Sequence, residues 1–314
     1  MFYPASAGSR FDHPLSSLRE FHLTLETQTI LLALLGAFIM SLTNITLTIP
    51  LRNMGSFALV QLNNVGNVVL LGAIGLWRFD SEGFRWEAFA WFALLGVINF
   101  SLNRWIFYTG LNVMGPSRHI TIGSLTPLLS LGFAVFLLGE RPGEFVLAGT
   151  FLVVAGAVAV SYERTEGRWF RPGIGWSLTS VLFFSFSVYV RHRGMSYMAA
   201  PALLTAWGAL VAIPTGELIR PLLPKRFFEW GDAKRVSHLI LLGALLNGIG
   251  QITVNQAMRG KLSLAVPILS SSPVFVLLLS ALFLRKIERL NRRVIIGVLV
   301  AVAGMIIIGI GRHN

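Results

Sequence analysis

The chain has 314 residues, and only 13% of them are charged, about half the share that is usual in soluble domains. The hydrophobic share of 54% and the mean hydropathy of +0.69 indicate a membrane protein rather than two soluble domains. No cysteine is present, which excludes disulfides and thiolate metal sites, and the net charge of +12 comes from short segments between apolar runs, which favours membrane-flanking residues over a nucleic-acid surface.

Residues 1–28 form a polar tail that lacks the apolar core of a signal peptide. Behind the tail, ten runs are long and apolar enough to cross a bilayer as helices of about 20 residues. Span 1 is expected to end at Pro50, and span 6 to end before the Arg-His-Arg run at 191–193. The longest connection, 220–237, is too short for a soluble catalytic domain. The predicted spans are 29–49, 56–77, 86–110, 117–138, 143–161, 173–190, 200–219, 237–258, 262–284 and 293–311.

The two halves of the chain match at an offset of 148 residues (247 minus 99). At this offset Asn99 pairs with Asn247, and ERPGEFVLAG at 140–149 pairs with ERLNRRVIIG at 288–297. We therefore predict two five-span repeats, 29–161 and 173–311, joined by a linker at 162–172. Because five is an odd number, the second repeat enters from the opposite face of the membrane. The expected fold is an all-α integral membrane protein of ten helices, built from two inverted repeats with a substrate site near the midplane.

The closing part of each repeat resembles a known family. Residues 114–160, which include GSLTPLLSLGFAVFLLGERPGEFVLAG, look like the closing half of an EamA domain, and residues 255–308 look like its second copy. The whole chain resembles a ten-helix member of the drug/metabolite transporter superfamily. Spans 1 and 2 depart from the family pattern, since GAFIMSLTNIT stands at 36–46 and VQLNNVGN at 60–67. The resemblance implies export of amino acids or related metabolites across the plasma (inner) membrane.

Amide side chains recur every fourth residue in several apolar spans, which places them on one helix face. A buried amide without a partner costs several kcal/mol in hydrocarbon, so such groups pair, meet water or meet a ligand. One interpretation is that these amides hydrogen-bond between neighbouring helices, and that each such bond stabilises the helix packing by about 0.6–2 kcal/mol. For the repeat-matched amides of spans 3 and 8 we favour the lining of a central cavity that binds substrate. The predicted lining amides are Asn63, Asn67, Asn99, Asn103, Asn247, Gln251 and Asn255.

Arg104 is predicted to be the most interior basic residue, about six residues from the end of span 3. One interpretation is that its guanidinium snorkels to the membrane surface. If Arg104 instead faces the cavity, it would bind a carboxylate or phosphate, with Tyr108 beside it. Pro127 and Pro273 free backbone carbonyls in spans 4 and 9, and we predict that they form gating kinks, with simple bends as the alternative.

Glycines within spans 5 and 10, and a glutamate in the loop before each of these spans, are interpreted as structural residues rather than site residues. Glycines spaced by seven place small residues on one face of each span and permit close helix contact, and we interpret them as packing residues away from the pathway. Glu140 and Glu288, in the loops before them, are interpreted as N-terminal helix caps with local ion pairs. The glycines are Gly149, Gly156, Gly297 and Gly304.

All fourteen acidic residues lie in the tail, in loops or near span ends. The absence of a carboxylate near the middle of any span disfavours a proton-coupled exporter of lipophilic cations, which stays as the alternative together with a non-transporting interaction protein. No nucleophile, ligand cluster or cofactor motif is found, so the chain is predicted not to be an enzyme and to need no cofactor. We predict a secondary transporter of small polar metabolites that works by alternating access.

The expected partners are a small-molecule substrate and the lipid bilayer, with no nucleic acid. A coupling ion, such as the proton, and the choice between monomer and homodimer stay open. Orientation also stays open, because the excess of Lys and Arg lies opposite the tail, whereas ten-helix members of the resembled family keep both termini in the cytoplasm.

Overall fold

The computed structural model describes residues 25–79, 83–114, 119, 122–161, 173–272, 274–275, 279 and 292–310. These residues form no strand, and they form ten helical segments of eight residues or more besides two short 3-10 helices at Arg220–Leu222 and Lys225–Phe227. Six of the segments are long and apolar enough to span a membrane, and three shorter apolar helices accompany them. The segments are α1 (Leu25–Asn53), α2 (Ser56–Trp77), α3 (86–114), α4 (Thr126–Leu138), α5 (Glu144–Ser161), α6 (Ile174–Tyr197), α7 (Pro201–Ile219), α8 (Ser237–Ala257), α9 (Leu262–Leu269) and α10 (Arg292–Ile310).

The packing of the helices repeats itself when each helix is exchanged with the helix five positions away. Helix α1 packs on α8, and its counterpart α6 packs on α3. In the same way α2 packs on α8, and its counterpart α7 packs on α3. Two further contacts, α2 with α7 and α5 with α10, each join a helix to its own counterpart. This is the contact pattern that a two-fold relation between the two repeats produces.

Glycines bring α5 and α10 into backbone contact. A Cβ added to Gly156 would lie 2.6 Å from the carbonyl oxygen of Gly297, and one added to Gly304 would lie 2.7 Å from that of Gly149. The prediction that these glycines permit close helix contact is therefore confirmed, and the structure shows that the contact joins α5 to α10.

Two helices continue beyond the points where the sequence predicted their ends. Helix α1 contains Pro50 and runs on to Asn53, whose Nδ2 donates to the Ile49 carbonyl oxygen. Helix α6 continues through the Arg-His-Arg run to Tyr197. The polar side chains of that run find partners, since Arg191 is buried against α8 and His192 Nδ1 lies 2.6 Å from the carbonyl oxygen of Met258.

The long helix α3 is not regular along its whole length. An α-helix at Trp86–Leu95 and another at Asn103–Met114 flank a π-helical segment at Gly96–Leu102. The segment packs against α7, where Ser101 Oγ donates to the Ala212 carbonyl oxygen over 2.8 Å. A π turn holds more residues than an α turn, so the segment rotates the side chains within and beyond it.

Glu140 caps a helix of the other repeat rather than the helix that follows it. Its two carboxylate oxygens accept hydrogen bonds from the backbone N–H groups of Leu262 and Ser263, over 2.7 and 2.9 Å, at the start of α9. The expected local cap is therefore wrong for Glu140, and Glu288 lies outside the described residues.

We predict that Glu140→Gln lowers the free energy of unfolding by about 1 kcal/mol, because it removes the negative charge from the N-terminus of α9. Thermal unfolding in detergent measures the change. Glu144→Gln is the matched control, since Glu144 lies exposed in the first turn of α5. An equal loss in both variants would contradict a special role for the contact between repeats.

Candidate functional site

A polar cavity of about 120 Å³ lies between α1, α2, α3 and α8. Its walls combine apolar side chains with one arginine and a concentration of amides. A larger pocket, of about 560 Å³, lies in the loop after α7, beside Lys225 and Glu229, and includes none of the predicted site residues. The polar residues that line the cavity are Thr43, Asn44, Asn63, Asn64, Asn67, Arg104, Asn247 and Gln251.

The amide stripe of α8 begins at this cavity. Asn247 and Gln251 line it and are 8% and 6% exposed. Asn247 Oδ1 accepts a hydrogen bond of 3.2 Å from Asn67 Nδ2, which joins α8 to α2. The third member of the stripe, Asn255, is fully buried and does not line the cavity. Its Nδ2 donates to Thr205 Oγ1 on α7 over 2.6 Å.

Arg191 is a buried residue of the site that the sequence did not predict. It is 6% exposed, and its Nη1 donates to Gln251 Oε1 over 2.8 Å and to Asn255 Oδ1 over 2.6 Å. Arg191, rather than Arg104, is therefore the most interior arginine among the described residues. One signal was present in the sequence, because a span that ended at 190 would have only about 18 residues, short of the usual length.

The equivalent stripe of α3 has a different environment. Asn99 and Asn103 are buried but are not among the residues that line the cavity. Asn103 Nδ2 donates to Asn99 Oδ1 over 3.3 Å, and Asn103 Oδ1 accepts from Ser180 Oγ on α6 over 2.9 Å. The two amides thus join α3 to α6. Asn99 lies in the π-helical segment, whereas the stripe of α8 lies on a regular helix.

Two oxygen atoms of side chains that line the cavity have no partner among the described residues. Asn63 Oδ1 and Asn67 Oδ1 are buried acceptors without a donor. Gln251 Nε2 and Asn247 Nδ2 are donors on side chains whose oxygens are already bonded. Arg104 lines the cavity and is half-buried. Tyr108 belongs to α3, and its side chain lies outside the described part of the structure.

The helix before Pro127 is interrupted at residues 124–125, and Pro127 lies in the first turn of α4. The carbonyl oxygen of the preceding Thr126 accepts a hydrogen bond of 3.3 Å from Ser185 Oγ on α6. A second interruption follows α9 at 270–271.

The second interruption has an equivalent hydrogen bond. The carbonyl oxygen of Ser272, directly before Pro273 in the sequence, accepts from Ser41 Oγ on α1 over 2.9 Å, and this hydroxyl also lies 2.6 Å from the Ala37 carbonyl oxygen. Pro273 itself lies outside the described residues. The first helix of each repeat thus donates a serine hydroxyl to the interrupted fourth helix of the other repeat.

Comparisons with known proteins agree with this architecture. The model of the EamA-like transporter family matches residues 27–162 and again residues 171–310. No curated protein matches the chain. A solved structure, described only as the crystal structure of a protein, is 20% identical, with a TM-score of 0.71 over 90% of this chain and 95% of that one. This structural likeness shows a shared fold.

Proposed function

The chain belongs to the EamA-like transporter family, and from that premise we propose that it exports small polar metabolites, amino acids or related compounds, by alternating access. The family makes the chain a multi-pass membrane transporter of the drug/metabolite type rather than an enzyme. The substrate, the direction and the mechanism are the parts that we propose.

One observation carries the choice of substrate: amide side chains and an arginine line the same small cavity, and two of these amides have an oxygen without a donor among the described residues. Asn63 Oδ1 and Asn67 Oδ1 are buried acceptors that lack a donor, and the same wall carries the donor groups Gln251 Nε2, Asn247 Nδ2 and the Arg104 guanidinium. Unpaired polar groups inside a membrane protein are costly unless water or a ligand pairs with them. A volume of about 120 Å³ suits a solute of a few heavy atoms that carries both kinds of group.

The interrupted helices support alternating access. Broken helices at equivalent positions of two repeats are a feature of secondary transporters, in which one repeat rocks against the other. Here the break before Pro127 and the break at 270–271 are held by Ser185 and Ser41, each from the first helix of a repeat. Because both contacts are single hydroxyl hydrogen bonds, they can be exchanged at little cost when the cavity changes the side to which it opens.

The residues around the cavity argue against a transporter of lipophilic cations. Among the residues that the structure describes, no Asp or Glu lines the cavity, and the charged lining residue is Arg104. A cation in this cavity would meet positive charge in a medium of low dielectric constant.

Counterflow in proteoliposomes tests the proposal. Vesicles that contain the purified protein are loaded with neutral amino acids, and uptake of a labelled amino acid is followed without an ion gradient. We expect uptake by the unaltered protein and a loss of about tenfold or more in the Asn247→Ala/Gln251→Ala variant, which removes two polar contacts to a solute.

Gln256→Ala is the matched control, because Gln256 belongs to the same helix but does not line the cavity. This variant is expected to retain uptake. No uptake of any amino acid by folded, unaltered protein would contradict the proposed substrate, and equal uptake by the double variant would contradict the proposed pathway.

A further inference from the structure

The guanidinium of Arg191 has no acidic partner among the described residues. Its two hydrogen-bond acceptors are the neutral carboxamides of Gln251 and Asn255. The ion pairs of the described residues lie elsewhere, at the exposed contacts Arg220 with Glu217 and Lys261 with Glu26. A buried charge without a counter-charge carries a desolvation penalty that neutral amides offset only in part. The position therefore favours an additional negative group nearby.

Arg191 fixes the orientation of a side chain that lines the cavity. Because Gln251 Oε1 accepts from the guanidinium, the other end of the amide, Nε2, becomes the donor that is free for a ligand. The hydrogen bond also polarises the amide, which strengthens Nε2 as a donor. Asn255 holds the guanidinium from the other side and is itself tied to Thr205 Oγ1, so the arrangement extends over α6, α7 and α8.

The two arginines of the site give it one sign of charge. Arg104 lines the cavity, and Arg191 touches a lining residue from α6. The acidic residues that the structure describes lie in loops or near helix ends, and none of them lines the cavity. In a medium of low dielectric constant, two positive charges without a carboxylate select strongly for a negative group on the solute.

We propose that Arg191 is a positioning residue that makes this transporter selective for solutes with a carboxylate, which binds against Gln251 Nε2 and Arg104. The inference rests on the proposed function, since it takes the cavity as the binding site of the transported solute. Arg191 acts through Gln251 and through its charge. The neutral acceptors Asn63 Oδ1 and Asn67 Oδ1 then receive the donor groups of the solute.

Ligand-dependent thermal unfolding of the purified protein tests the inference without requiring transport. The probes are two pairs of equal shape and small volume: L-alanine with L-alaninamide, and propionate with propionamide. Sodium chloride at the same ionic strength controls for general salt effects. A ligand that binds the folded state raises the Tm as its concentration passes the Kd. We expect each carboxylate to raise the Tm at a concentration about tenfold lower than the concentration at which its carboxamide does so.

Three variants separate selectivity from structure. Arg191→Gln is expected to reduce the preference for carboxylates about tenfold, because it removes the charge. Arg191→Lys keeps the charge without the planar fork and is expected to keep part of the preference. Thr205→Val disrupts the far end of the same network, so it is expected to lower the Tm without ligand while the preference is retained.

The inference is overturned if the unaltered protein responds equally to acids and amides, if no probe raises its Tm, or if Arg191→Gln and Thr205→Val change the preference equally. Counterflow distinguishes this failure from that of the proposed function. A retained carboxylate preference without any counterflow contradicts transport alone. Counterflow of carboxamides as fast as that of carboxylates contradicts the assignment of Arg191 alone.

Discussion

Replacing Gly156 with valine is expected to lower the free energy of unfolding by about 3 kcal/mol, at the top of the range for overpacked interiors. The added Cβ would lie 2.6 Å from both the carbonyl oxygen of Gly297 and the backbone nitrogen of Ala301. These atoms belong to the backbone of α10, so a change of side-chain rotamer cannot relieve the clash. The two helices would have to separate, and much of the contact between the repeats would be lost.

Thermal unfolding in detergent measures this loss, with Gly132→Val as the control. Gly132 also lies inside a helix, α4, but a Cβ added there meets nothing within 4 Å. The control therefore reports the effect of valine on the helix alone. Gly304→Val approaches the same interface from α10, through the carbonyl oxygen of Gly149, and should be as destabilising as Gly156→Val. If Gly132→Val is equally destabilising, the close contact is not the cause.

The all-helical membrane fold, the repeat and the family could be predicted because each rests on a long pattern. Ten apolar runs and a constant offset of 148 residues can be recognised even when each boundary is misplaced by a few residues. The glycines of α5 and α10 were predictable for the same reason, since their spacing of seven recurs in both repeats. The domain boundaries and the roles of the site residues stay predictions.

The interior of the site depended on local details that such patterns do not contain. Arg191 was placed at a membrane surface because a basic run after an apolar span usually lies there. Its burial follows from the amides of α8, about 60 residues away in sequence, which solvate the guanidinium. A reading of span 6 alone contains no information about these acceptors.

The asymmetry between the two amide stripes has a backbone cause. Asn99 and Asn103 match Asn247 and Gln251 in sequence, so equal environments were expected. The π-helical segment Gly96–Leu102 rotates the first pair relative to the second, and the first pair joins α3 to α6 instead of lining the cavity. Neither residue type nor spacing reveals a π segment. Gly96, the first residue of the segment, lies so close to α7 that an added Cβ would meet the Gly208 carbonyl oxygen.

Replacing Asn255 with leucine is expected to lower the free energy of unfolding by about 3–5 kcal/mol, the range for removing one partner of a buried charge. Asn255 is fully buried, and its Oδ1 accepts the shorter of the two hydrogen bonds from Arg191. Leucine would leave the guanidinium with Gln251 as its one acceptor among the described residues. It would also remove the donor to Thr205 Oγ1.

A double-mutant cycle assigns this loss to the charge of Arg191. Arg191→Met removes the guanidinium but keeps an apolar side chain of similar length, so the combined Asn255→Leu/Arg191→Met variant has no buried charge to solvate. We expect the combined variant to recover at least half of the loss, with a coupling energy of about 2 kcal/mol between the two positions. Gln256→Leu, at the next position of α8, should show no such coupling, since its amide is paired with the exposed Arg259. A combined variant no more stable than Asn255→Leu alone would mean that Asn255 stabilises α8 against α7 through Thr205, independently of the charge.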